Sequence, residues 1–219
     1  MPADDMADAT HSIEQHPTAA PQPSFFEVAL RQRACRSFDD ADVDDDLIAR
    51  CLQAATHAPS AENMQPWEFV VVRDPQRRAA IGELNRVAWR SGGRAHSAGR
   101  LSETLLADVD RGAEGGVAAA PIIVVVCGNA RRGLVSTMPS SVFPAVQNLL
   151  LAASALGLGS AVTTLALQQF DDLRALIGVP PHVMPMAVIP LGWPAKPLGP
   201  PHREPIATRT HRECWGEAW

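Results

Sequence analysis

Apolar residues recur along the chain at two spacings. Leu47, Ile48, Cys51, Leu52 and Ala55 follow a helical period and stop before Pro59. Asp44, Asp45 and Asp46 stand just ahead of them, where a helix N-terminus favours negative charge. Glu68–Arg73 and Pro121–Cys127 are short β-branched runs, which predict buried strands. Asp74-Pro75 opens another helix, with Asp as the cap and Pro in the first helical position, reaching about Trp89. Ser91–Gly99 reads as a polar break. Leu101, Leu105, Leu106 and Val109 predict a further helix, broken by Gly112–Gly116. Val142, Val146, Leu149, Leu150, Ala153 and Leu156 outline a long helix, capped by Ser140 or Ser141 and ended by Gly157. Ser160–Leu165 reads as a strand, Phe170–Ile177 as a helix stopped by Gly178, and Met184–Leu191 as the last core strand.

At the front, Ser24-Phe-Phe-Glu27 is a capping box that starts a helix to about Ala34. Residues 1–23 are acidic and rich in Ala and Pro, which predicts a disordered leader. Pro194, Pro197, Pro200, Pro201 and Pro205 exclude a helix or central strand and make this stretch an extended arm. The order predicts one α+β domain over 24–206, with 207–219 as a C-terminal tail.

Composition narrows the function. The 219 residues carry 19 Lys and Arg against 24 Asp and Glu, a net charge of −5. That balance argues against nucleic acid or an anionic membrane as the main partner. No apolar stretch approaches the roughly 18 residues needed to cross a bilayer. The four cysteines form no CxxC and the seven histidines no HxxxH, so no metal-ligand set is expected. These features predict a soluble, cytoplasmic protein. Eighteen of the 19 cations are Arg, and Lys196 is the single lysine. GC-rich codon usage explains such a ratio, yet guanidinium forks also pair with phosphate oxygens.

Three segments bear chemistry. Gly157-Leu-Gly159 follows a helix and precedes a strand, the reverse of a dinucleotide-binding loop, so it reads as a helix stop. Cys35 and His57 share no local signature, and a buried structural thiol is the simpler reading. Arg33 and Arg36 are three apart at a predicted helix end. They either complement the helix dipole or form an anion cradle. Ala58–Trp67 packs Ser60, Asn63 and Gln65 between two prolines. These groups donate and accept, and suit either a ligand edge or an Asx-type turn.

Gln32-Arg33-Ala34-Cys35-Arg36-Ser37-Phe38 resembles the N-terminal motif of the nitroreductase family, usually Arg-Arg-Ser-x-Arg-x-Phe. Ala58–Trp67 resembles that family's A-P-S-x-x-N-x-Q-P-W segment, and Pro144–Leu158 its long central helix. Ala161–Leu165, Pro190–Pro194 and Arg203-Glu204-Pro205 resemble its flavin-facing strand end, last strand and C-terminal arm. The resemblance implies an α+β fold with a central mixed sheet flanked by helices. It also implies an intertwined homodimer with FMN at the interface.

By position, the resemblance sets Arg33, Arg203 and more weakly Lys196 toward the FMN phosphate. It sets Arg36 toward the ribityl or pyrimidine side. Ser60, Asn63 and Gln65 would reach the flavin from the partner chain. Thr163, Thr164 and Leu165 would meet the ring, with backbone at Thr164 and Leu165 donating to flavin N5. The segments Ser91–Gly116 and Gly128–Ser141 would shape access to it. NADH or NADPH would pass a hydride to N5, and a nitroaromatic or quinone-like acceptor would be reduced on the same face, by ping-pong kinetics. No catalytic acid or base is then required. Alternatives within the resemblance are reductive dehalogenation, flavin-ring degradation, or flavin storage without turnover. Gln32, Ala34 and Glu62 depart from the family pattern.

Overall fold

A computed structural model describes residues 23–219. Apart from Pro23, the expected leader lies outside the described residues. Helix α1 (Phe25–Arg31) begins with the capping box: the Ser24 hydroxyl accepts from the Glu27 N–H, and the Glu27 carboxylate accepts from the Ser24 N–H. Then come α2 (Asp45–Thr56), strand β1 (Trp67–Val72) and α3 (Pro75–Ala88). The Asp74 carboxylate accepts from the Arg77 N–H, as the Asp-Pro start predicts. Next are α4 (Arg94–Ser97), α5 (Glu103–Arg111), α6 (Val117–Ala119) and β2 (Ile122–Asn129). The chain ends with α7 (Met138–Ala155), β3 (Gly159–Ser160), α8 (Phe170–Ile177) and β4 (Val183–Gly192).

The sheet has the order β1-β2-β4-β3. Its three ladders are antiparallel, and the parallel component of the expected mixed sheet is a single bridge, Ala34 to Ser160. Strand β2 is buried on both faces, which explains its unbroken apolar run. Ile122, Val124 and Val126 join the core formed with α2 and α7, while Ile123, Val125 and Cys127 join the core against α3 and α8. Among the described residues, no helix is long and apolar enough to cross a membrane.

Four boundaries differ from the sequence reading, each for a physical reason. Helix α1 stops at Arg31, because the chain turns extended at Gln32 and the Cys35 N–H donates to the Ser160 carbonyl. Arg33 and Arg36 therefore do not share a helical face. Helix α7 starts at Met138 with a proline in its first turn. Ser141 does not cap it; its hydroxyl accepts from the Ala61 N–H instead. The expected strand over 160–165 shrinks to Gly159–Ser160 plus a bridge from Thr163 to Val188. The Ala161 N–H donates to the Pro190 carbonyl, and Pro190 has no N–H to return the bond.

The fourth difference concerns glycine. Gly112–Gly116 does not break the helix; it forms a π-helical turn joining α5 to α6. A Cβ on Gly112 would lie 2.7 Å from the Arg36 Cδ, and one on Gly116 would lie 2.4 Å from the Arg36 carbonyl oxygen. These glycines admit the Arg36 segment. Trp89–Gly93 forms a matching π turn between α3 and α4, where a polar break was expected. Gly157 does stop α7, with φ +82° and a Leu158 N–H bonded back to the Ala153 carbonyl.

Candidate functional site

The extended segment after α1 lies beside the end of β4. The Asp39 N–H donates to the Trp193 carbonyl and the Ala195 N–H to the Ser37 carbonyl. This pairing lays the proline-rich arm alongside Gln32–Ser37. Between them opens a cavity of about 950 Å³. Arg33, Arg36, Lys196 and Arg203 all line it, so residues up to 170 positions apart in the sequence converge. Arg111 of α5 adds a fifth cation, and among the described residues Asp108 is the one carboxylate in the lining.

Two of these cations are held in place without being neutralised. Arg33 donates to the Gly199 carbonyl at 3.2 Å, and Arg203 to the His202 carbonyl at 2.9 Å. Among the described residues, no carboxylate pairs with Arg33, Lys196 or Arg203. A cavity so lined is suited to an anion with several oxygens. This favours the cradle reading of Arg33 and Arg36 over the helix-dipole one, since neither residue is on a helix.

A second cavity of about 250 Å³ adjoins it, and Arg36 lines both. Its walls are mostly apolar, with Trp89, Val109, Val117 and Leu165 among them, and Thr163 and Thr164 at one corner. Asn85 fixes that corner. Its buried side chain accepts from the Thr163 hydroxyl at 2.7 Å and donates to the Ala113 carbonyl. The same hydroxyl accepts from the Leu165 N–H at 3.3 Å. The Leu165 N–H is thus engaged locally, and among the described residues no acceptor meets the Thr164 N–H.

Helix α5 lines both cavities, through Asp108 and Arg111 in the larger and Val109 in the smaller, and ion pairs join its C-terminal end to the segment that holds α4. Arg94 grips Asp110 through two nitrogens, and Arg90 grips Glu114. The Trp89 indole N–H also donates to Asp110. Hydrogen bonds from Arg94 first and Trp89 second hold the Asp110 carboxyl below its usual range, and Arg90 does the same for Glu114. Of the segment 91–116, α5 and the turn after it line the cavities.

Ser60, Asn63 and Gln65 lie elsewhere, in an exposed loop that lines neither cavity. Its backbone is unusual: Glu62, Asn63 and Gln65 all have positive φ, at 53°, 55° and 49°. Non-glycine residues rarely adopt that region, and three within four residues are costly. The Ser60 hydroxyl accepts from the Gln65 N–H, and the Gln65 amide donates to Asn63. The loop leans on the 128–141 segment, where Ser141 meets Ala61 and Arg132 meets the Gln65 carbonyl. That segment therefore supports this loop, not the cavities.

Cys35 and His57 form no reactive pair. Burial is the main cause that pushes the Cys35 thiol up, and its sulfur faces the Ser37 carbonyl. His57 is exposed against the Gln53 carbonyl. Two further residues at the cavities escaped the sequence reading. Asn85 had a signal: it is a polar residue on the buried face of α3, in register with Ile81 and Ala88. Asp108 had none, since an acid on an amphipathic helix is ordinary.

Similar proteins agree with this architecture. The profile of the nitroreductase family matches residues 29–193. A protein of Methanothermobacter thermautotrophicus, provisionally named NADH dehydrogenase/NAD(P)H nitroreductase, is 31% identical over 193 residues, covering 86% of each chain. A 5,6-dimethylbenzimidazole synthase of Rhodospirillum rubrum is 31% identical over 196 residues, covering 83% of this chain and 87% of its own. The crystal structure of an iodotyrosine deiodinase bound to FMN and 3-iodo-L-tyrosine superposes with a TM-score of 0.73. It is 25% identical and covers 83% of this chain and 96% of its own. With this fold and this match, the chain belongs to the nitroreductase family.

Proposed function

We propose that the protein is an FMN-dependent oxidoreductase that uses NADH or NADPH to reduce nitroaromatic or quinone-like acceptors. The observation that carries this reading is the convergence of Arg33, Arg36, Lys196 and Arg203 on one cavity that adjoins the apolar corner at Thr163–Leu165. The donor set fits FMN: unpaired cations for a phosphate, and an apolar wall for a flat ring. When bound, the flavin supplies hydride and electron transfer.

The chain's own residues then bind, orient and exclude water. Arg33, Arg203 and Lys196 hold the phosphate. Arg36, which reaches both cavities, stands at the ring side and offers positive charge. The Thr164 N–H is the backbone donor of the ring corner, with Thr163 fixed behind it by Asn85. Trp89 and Val109 shield the ring from solvent. Ser60, Asn63 and Gln65 serve the cavity of a second copy, which their distance from their own cavities supports.

The family relatives favour a second reading. Relatives named deiodinase and dimethylbenzimidazole synthase make reductive dehalogenation or flavin-ring degradation the alternative chemistry. Anaerobic titration of the purified protein separates the readings. The first predicts a yellow protein bleached by NADH or NADPH and recoloured by a nitroaromatic or quinone. Bleaching by dithionite alone, with recolouring by a halogenated phenol, favours dehalogenation. Colour that fails to return when air is admitted to the reduced protein favours ring degradation. A protein that takes up no FMN overturns both.

A further inference from the structure

Arg36 is seated by a single face of α5 and the turn that follows it. Asp108 and Gly112 are four residues apart, one helical turn, and so lie over one another. Gly112 makes room for the arginine's stem, because a Cβ there would meet its Cδ, Cγ and Cβ at 2.7, 3.0 and 3.1 Å. Asp108 takes the head: its Oδ2 accepts from the Arg36 Nη1 at 2.7 Å. The other oxygen, Oδ1, accepts from Arg111 at 2.9 Å. The carboxylate thus bridges two of the five cations lining the larger cavity. Arg33, Lys196 and Arg203 have no such acid among the described residues, so the counter-charge falls on Arg36, the cation that reaches both cavities, and on its neighbour Arg111.

We propose that Asp108 is a positioning residue that seats Arg36 and offsets its charge, and so sets how strongly the site holds FMN and how readily the bound flavin accepts electrons. This rests on the reading of the cavity as an FMN site. A carboxylate beside Arg36 opposes added negative charge at both places. It repels the phosphate-bearing ligand, and it disfavours the extra charge that reduction brings to the ring. The pair is about a quarter exposed, with side chains 24% and 29% accessible, so water still screens the effect to that of a modest ion pair.

The test compares the parent with Asp108→Asn, which keeps an oxygen acceptor for Arg36 and removes the charge. Fluorescence quenching of free FMN should give a dissociation constant about two- to fivefold lower for the variant, the size expected of a partly exposed pair. Spectroelectrochemical titration should give a higher midpoint potential. Asp108→Ser removes the same charge and covers the case in which the amide variant fails to fold. A parent that binds FMN and variants with unchanged affinity and potential overturn the role of Asp108 alone. So does weaker FMN binding by Asp108→Asn at an unchanged melting temperature, which means the carboxylate aids binding instead of opposing it. A parent that binds no FMN overturns the cavity reading and this inference together.

Discussion

Single side chains decide what this site holds. Arg203 lines the larger cavity, whereas Arg77 begins α3 and donates to the Leu176 carbonyl, outside either cavity. Arg203→Ala should weaken FMN binding about tenfold, the scale of a lost charge-assisted hydrogen bond. Arg77→Ala should leave it unchanged; equal losses in the two variants, read by fluorescence quenching, would remove Arg203 from the site. The thiols allow a second forecast. Burial pushes Cys51 up to about 11 and Cys127 up to about 12. The unfolded chain releases these protons from about pH 9 while the folded chain keeps them, so it binds fewer protons than the fold. Stability is therefore whole below that pH and falls as pH rises toward the folded values. Melting temperature should drop between neutral pH and about pH 10.5, and less steeply in Cys127→Ala. Cys214 is the one exposed thiol, so Ellman's reagent should titrate a single cysteine in the folded chain.

At the scale of elements, glycine spacing matters more than glycine content. Gly112–Gly116 reads as a helix end in sequence because three glycines in five residues weaken a helix. The backbone stays helical there, since close approach of Arg36 requires bare Cα atoms on that face. Gly116→Ala should destabilise the protein by about 1–3 kcal/mol, because its Cβ would meet backbone that cannot rotate away. A Cβ on Gly115, by contrast, would meet nothing within 4 Å. Gly115→Ala should therefore stabilise by roughly 0.5 kcal/mol, from helix propensity alone. Chemical denaturation of the two variants checks the contrast. A similar lesson comes from Ser141, whose hydroxyl supports the Ala61 turn and not its own helix. Local spacing shows that a serine is near a helix start, but not which orphan N–H it will meet.

Across the whole molecule, the exposed apolar surface is uneven. Phe25, Phe26 and Leu30 of α1 are 67%, 75% and 73% exposed, and only Val28 of that helix is buried. Ile206, Trp215 and Trp219 are similarly bare on the C-terminal segment. Light scattering should give about twice the 23.4 kDa chain mass. Phe26→Asp combined with Leu30→Asp should yield monomers that lose FMN; a parent that is monomeric with FMN bound would refute the dimer. By itself, the sequence determined the elements whose cause is local: the Ser24 box, the Asp74-Pro75 start, the Gly157 and Gly178 stops, and the apolar run of β2. Periodicity and caps act over a few residues, so they are readable in a line of text. Only the tertiary structure decided that Arg33, Arg36, Lys196 and Arg203 share a cavity, that Asn85 braces Thr163, and that Asp108 holds Arg36. The shared cavity depends on an extended segment and an arm more than 150 residues apart lying side by side, and on the backbone bonds at Trp193 and Ser37 that put them there; the other two contacts join residues more than 70 apart.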